Sequence, residues 1–128
     1  MAARQIKPRK INLSCDVTVK DILCAAIREY AQTAYPEGGS ECAQVARYTL
    51  LELAADIDAG ITDDNETVEV SKRPRAMLKA ALEYYFNRAD AAQGLTSSHR
   101  RALLDGLLYE QKVTCSDLEA AMAADSHD

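Results

Sequence analysis

Apolar residues recur three and four positions apart through four long stretches of this sequence, a period that belongs to the amphipathic α-helix. The clearest stretch is Val19, Ile22, Leu23, Ala26, Ile27, Tyr30 and Ala34. It predicts a helix over about 19–35, with Thr18 as N-cap and Asp21 completing a weak capping box. Tyr35-Pro36-Glu37-Gly38-Gly39 stops it. Ser40 then caps a second helix, roughly 41–58, that ends near Gly60. Its Cys42, Val45, Ala46, Tyr48, Leu50, Leu51, Leu53, Ala54 and Ile57 occupy nearly every side. A helix apolar all round belongs inside a bundle or in an oligomer interface, so a homodimer is expected.

Pro74 fits the first turn of a third helix, about 74–92. Leu78, Ala81, Leu82, Tyr85 and Ala89 form its stripe, widened by Met77, Tyr84 and Phe86, and Gly94 ends it. Thr96 or Ser97 caps a fourth helix to about Lys112, with Leu103, Leu104, Leu107 and Leu108 facing the core. Val113–Thr114 reads as a tight turn. Thr114 with Asp117, or Ser116 with Glu119, caps a short last helix carrying Leu118 and Met122.

Two stretches break the helical period. Ile11, Leu13, Cys15 and Val17 alternate with Asn12, Ser14 and Asp16, and Val68 and Val70 share one face of Thr67–Ser71. Period two predicts short half-buried strands. The fold class is therefore mainly α: about five helices in one orthogonal or bundle-like domain with one or two short strands. With 5% aromatic residues and no Trp, the core must be built from aliphatic residues and Ala, which favours close-packed helices. A basic arm covers 1–10 (Arg4, Lys7, Arg9 and Lys10, no acid), the helical domain 11–124, and a frayed tail 125–128.

The two halves share an order of strand, amphipathic helix, glycine, Ser/Thr cap and leucine-rich helix. Ile11-Asn-Leu-Ser14 aligns with Val68-Glu-Val-Ser71. Ala25-Ala26-Ile27 with Tyr30 aligns with Ala80-Ala81-Leu82 with Tyr85, and Gly39 with Gly94 at that same spacing, while the strands need a two-residue gap. Chance similarity of Ala-rich helices and an internal β-α-α duplication both remain open at this point. A duplication predicts that the two strands pair antiparallel within one chain.

Residues 9–53 resemble the ribbon-helix-helix repressors of phage and plasmid systems. The matching pieces are Arg9-Lys-Ile-Asn-Leu-Ser14, the helix after it, and Gly39-Ser40 opening a helix with Val45, Tyr48 and Leu51. The resemblance implies a two-stranded ribbon entering the DNA major groove. Lys10, Asn12 and Ser14 would then read bases, with Arg4, Lys7 and Arg9 on phosphates. The first helix is longer than the family pattern, Glu69 on a partner strand would repel phosphate, and the last helices have no place in the pattern. Tyr35-Pro-Glu-Gly-Gly-Ser-Glu-Cys-Ala-Gln-Val-Ala-Arg-Tyr48 also resembles small uncharacterised proteins of prophages and phage satellites, which implies an accessory role and no specific chemistry.

Charge narrows the function. Fifteen Lys and Arg against twenty Asp and Glu give a net charge of −5, so a whole-surface polyanion binder is disfavoured. No apolar run approaches the ~20 residues of a membrane helix, and no signal-type stretch follows Met1–Lys10, so a cytoplasmic protein is expected. Cys15, Cys24, Cys42 and Cys115 form no C-x-x-C pair, and two His do not complete a zinc pattern. Reduced thiols buried as small hydrophobes are expected, with no metal and no cofactor. Asp63, Asp64 and Glu66 lack the glycine and terminal Glu of an EF-hand loop. The last two helices resemble a helix-turn-helix, but the would-be recognition helix carries Asp117 and Glu119 and no base.

Ser97-Ser98-His99-Arg100-Arg101 opens the fourth helix, where side-chain donors and guanidinium groups could hold an anion; a solvated basic first turn is the plainer account. His99 has no partner in sequence for a nucleophile–base set, and the five glycines form no phosphate loop. The expectation is a non-enzymatic interaction protein. It would use an apolar helical surface (Tyr48, Leu51) and the acidic segment from Glu52 to Val70 (with Asp56, Asp63 and Asp64), which holds seven acids and no base.

Overall fold

Alternation at Lys10–Ser14 (β1) and Thr67–Ser71 (β2) produces one antiparallel two-stranded ribbon. Ile11, Leu13 and Val70 point into the core while Lys10, Asn12, Glu69 and Ser71 face water. The computed structural model describes residues 10–71, 74–91 and 98–126. Five helices accompany the ribbon: α1 (Val17–Ala34), α2 (Glu41–Gly60), α3 (Arg75–Ala91), α4 (Ser98–Leu107) and α5 (Cys115–Ser126). The expected mainly helical domain with a short hairpin of strands is therefore present. Among the described residues no helix is long and apolar enough to cross a membrane. The residues assigned above to a basic arm (Arg4, Lys7, Arg9), to the α3 stop (Gly94) and to the α4 cap (Thr96, Ser97) lie outside the described residues, as does the side chain of Ala89.

The ribbon register has an internal logic. Ile11 pairs with Val70, Leu13 with Val68, and Asn12 with Glu69 at the centre. Replacing each residue by its aligned counterpart in the other half turns the first pair into the second and leaves the third unchanged. The ladder thus obeys a local two-fold relation. The same holds where α1 crosses α3: the Arg88 guanidinium meets the Glu29 carboxylate, and Tyr84 Oη lies 3.4 Å from Thr33 Oγ1. Those two pairs also exchange under the helix alignment. The symmetry stops at the second helices, since α2 has 20 residues and α4 has 10.

Several boundaries differ from the sequence expectation, each for a local reason. Lys10 is not part of an arm; it opens β1 opposite Ser71. Val17 begins α1 instead of continuing the strand, because Asp16, not Thr18, is the N-cap: its Oδ1 accepts from the Val19 N–H at 3.0 Å. The buried α1 stripe takes Cys24 and Ala31 and leaves Ala34 exposed. On α3, Phe86 is buried more deeply than Tyr85. Ser40 caps α2 as expected, accepting from the Ala43 N–H at 3.2 Å. Thr114 and Asp117 form the expected capping box at α5. Met122 is exposed.

The largest correction concerns α4, which stops at Leu107 well before Lys112. The Gln111 N–H donates to Gly106 O at 3.1 Å and the Glu110 N–H to Leu107 O at 3.2 Å. That is the Schellman pattern, with Glu110 in the left-handed position at φ 70 where glycine is usual. The chain then runs extended, not as a turn: Val113 bridges Cys15, and its N–H donates to Ser14 O at 2.9 Å. This strip covers the free edge of β1.

The core lies between the inner ribbon face and the helices. Leu13, Leu23, Ile27, Leu50, Ile57, Leu78, Leu104 and Leu107 are almost or fully buried in it. Removing such a side chain to Ala costs about 2–5 kcal/mol. Cys15 and Cys24 are buried as expected, and burial, with Asp16 next to it, pushes the Cys15 thiol up to about 12. Such a thiol is protonated and unreactive. Cys42 departs from the expectation and is exposed, because it lies on the outer side of α2.

Candidate functional site

The start of α4 does hold an anion, and the protein supplies it. Asp125 Oδ1 accepts from the His99 backbone N–H at 2.9 Å and sits 3.0 Å from His99 Nδ1. Asp125 Oδ2 accepts from Arg100 Nε at 2.8 Å and from the Arg100 N–H at 3.3 Å. The residue is only 5% exposed. Burial by itself raises a carboxyl pKa, but the donors from Arg100 and His99 outweigh it and bring Asp125 down to about 2. The donors of His99 and Arg100 are thus taken up by a carboxylate of the same chain, which pins α5 onto α4. Of the tail expected to fray at 125–128, Asp125 and Ser126 belong to α5, and residues 127 and 128 lie outside the described residues. Arg101 points elsewhere and donates to Asn87 Oδ1. The signal for Asp125 was its spacing seven residues after Leu118, one face of one helix.

The outer face of the ribbon brings Lys10, Asn12 and Ser14 together, each already engaged. Lys10 Nζ is 3.3 Å from Glu69 Oε1. The backbone and side-chain N–H groups of Asn12 approach Glu110 Oε2 at 3.3 and 3.4 Å. Ser14 Oγ and Thr67 Oγ1 are 3.0 Å apart. Two acids, Glu69 and Glu110, thus border the residues that the ribbon-helix-helix resemblance would turn toward DNA. Sequence reasoning foresaw Glu69 and missed Glu110, whose position depends on the left-handed turn.

The face of α2 turned away from the core is different. Leu50, Leu53, Ala54 and Ile57 fill the inner side. On the outer side Val45 is 66% and Tyr48 70% exposed. Leu51 is half-buried and packs against the core edge. With Glu37, Gln44 and Arg47, Tyr48 and Leu51 line a surface groove of about 440 Å³. The groove wall is held in place: Arg47 Nη1 donates to Tyr35 O at 3.2 Å, and Gln44 Nε2 donates to Pro36 O at 3.0 Å. The exposed charged residues of α2 are Glu41, Glu52, Asp56 and Asp58, all acidic. Asp58 pairs with Lys20 at 3.3 Å. Asp63 and Asp64 are exposed in a tight turn closed by the Thr62 N–H to Asn65 O bond at 2.8 Å.

Of the expected interaction residues, Tyr48 and Leu51 share the groove, while Asp56, Asp63 and Asp64 lie toward and beyond the C-terminal end of α2. Among the described residues no group of His, Cys, Asp and Glu is arranged to hold a metal ion. Compared with known proteins, the chain matches no family model, no curated protein and no solved structure.

Proposed function

We propose that the chain is a non-enzymatic interaction protein whose α2 groove receives a basic amphipathic helix from a partner protein. One observation carries the reading: two large apolar side chains, Val45 and Tyr48, stand in water one helical turn apart while every exposed charge on their helix is negative. With the half-buried Arg47 paired to Glu37 at 3.7 Å, apolar anchors on a helix of negative exposed charge match a helix with apolar residues at i and i+3 or i+4 and Lys or Arg beside them. A second copy of this chain fits less well, since antiparallel pairing through Tyr48 sets Glu41, Glu52 and Asp56 of the two copies near each other. An accessory role of the prophage type rests on the resemblance of residues 35–48 alone.

The test is fluorescence anisotropy with a labelled amphipathic peptide of Leu and Lys. The expected result is salt-sensitive binding that weakens about tenfold in Tyr48→Ala and is unchanged in Tyr109→Ala, the latter altering an exposed tyrosine elsewhere. Equal binding by both variants overturns the reading, as does dimerisation through Tyr48 in analytical ultracentrifugation.

A ribbon-helix-helix-like regulator is the second reading. It is favoured by the antiparallel ribbon with Lys10, Asn12 and Ser14 on its outer face. It requires retention on heparin or DNA at low salt that disappears when residues 1–10 are removed.

A further inference from the structure

A second groove lies between α3 and α4, with chemistry unlike the first. Lys79, Glu83, Arg101 and Asp105 stand around a cavity of about 210 Å³ whose floor is Leu82 and Leu108. Both leucines are buried. Ala102 forms part of the wall. Asp105 Oδ1 is turned out of water and has no hydrogen-bond partner, although the side chain as a whole is 42% exposed. Lys79 Nζ forms an ion pair with it at 3.6 Å. The rest of that side chain is exposed, and Asp105 is one of the residues lining the groove.

We propose that this cleft binds a small zwitterion, a free α-amino acid with an aliphatic side chain. The charges argue for both signs in one ligand. An anion alone meets Lys79 and Arg101 but also Glu83 and Asp105; a cation alone meets the reverse. A ligand with a carboxylate and an ammonium satisfies each pair: the ammonium donates to the exposed part of the Asp105 carboxylate beside Glu83, and the carboxylate accepts from Lys79 with Arg101 behind it. The aliphatic side chain rests on Leu82 and Leu108. The cavity is smaller than those that enclose drug-sized ligands, which span about 300–1,000 Å³, so the ligand is small. Its space exists because α4 carries Ala102 where a larger side chain would fill it.

The experiment is calorimetric titration of the whole chain with L-leucine, with isovalerate and isoamylamine as the carboxylate-only and amine-only probes. L-leucine binds, and each half-ligand binds about tenfold more weakly or less, since each loses one charge-assisted contact. Asp105→Asn weakens L-leucine about tenfold. Ala102→Tyr, an exposed position that leaves the fold intact by circular dichroism, abolishes binding by filling the cleft. Absence of L-leucine binding to the native chain overturns the proposal. So does isovalerate or isoamylamine binding as tightly as L-leucine, or Ala102→Tyr binding as the native chain does.

Discussion

The second helices of the two halves differ in length, yet each lines a groove, and the two grooves carry different side chains. Buried Leu50, Leu53 and Ala54 on α2 have the spacing of buried Leu104 and Leu107 on α4 and Leu108 just after it. That register sets Arg47, Tyr48 and Leu51 of one groove against Arg101, Ala102 and Asp105 of the other. Inward positions are constrained by packing, because core volume must be conserved. Outward positions are not, so Tyr48 can crowd one groove while Ala102 opens the other, and Leu51 can give way to Asp105. A repeated frame with one constrained face offers two independent surfaces with different side chains.

The comparison breaks first in the core. Leu50→Ala and Leu104→Ala remove fully buried side chains at matched positions. Each is expected to lower unfolding stability by about 3 kcal/mol in urea titrations. If Leu104→Ala costs less than about 1 kcal/mol while Leu50→Ala costs the full amount, the two helices are not equivalent and the register between the grooves fails.

The next largest difference lies at the helix starts. α2 relies on Ser40, a neutral hydroxyl, and α4 on Asp125, a carboxylate delivered from α5. Ser40→Ala is expected to cost about 1 kcal/mol. Asp125→Ala is expected to cost about 2 kcal/mol, because it also strips a partner from Arg100 and releases α5. The pH dependence separates them further. The Asp125 pKa is depressed in the folded chain, from 3.8 to about 2, so its contribution is present above pH 4 and is lost as pH falls toward 2. Thermal melts of the native chain over that window should show a steeper acid loss than those of Asp125→Ala, whereas Ser40→Ala should track the native slope.

These differences also mark what could be read from the residues alone. β2 was legible to the residue, since Val68 and Val70 alternate with polar neighbours between a turn and a proline. The limits of α2 followed from Ser40 and Gly60, both local. The end of α4 was not legible, because its left-handed stop is Glu110 and not a glycine or asparagine. Asp125 carried no capping signal, since its donors lie 25 and 26 residues away in sequence. Of the two grooves, the one on a single helix was partly visible through Tyr48 and Leu51. The other needs Lys79 from α3 and Asp105 from α4, and only the packing of two helices brings them to 3.6 Å.

At the glycines near the helix ends the halves should differ in sign, and the smallest effect of all is expected at Gly106. A Cβ on Gly60 would lie 2.2 Å from Val68 Cγ2 and 2.8 Å from Val68 Cβ, within a strand paired to β1. Neither α2 nor β2 can yield without disturbing the ribbon, so Gly60→Ala should destabilise by about 1–2 kcal/mol. A Cβ on Gly106 would meet Gln111 Oε1 at 2.4 Å, the tip of an exposed and flexible side chain. That tip can swing into water, and Ala is the better helix former, so Gly106→Ala should stabilise by about 0.5 kcal/mol. Paired urea titrations read both changes. Destabilisation by Gly106→Ala comparable to that of Gly60→Ala would mean that the turn after α4 is held as tightly as the contact between α2 and the ribbon, and that the second half is no looser a frame than the first.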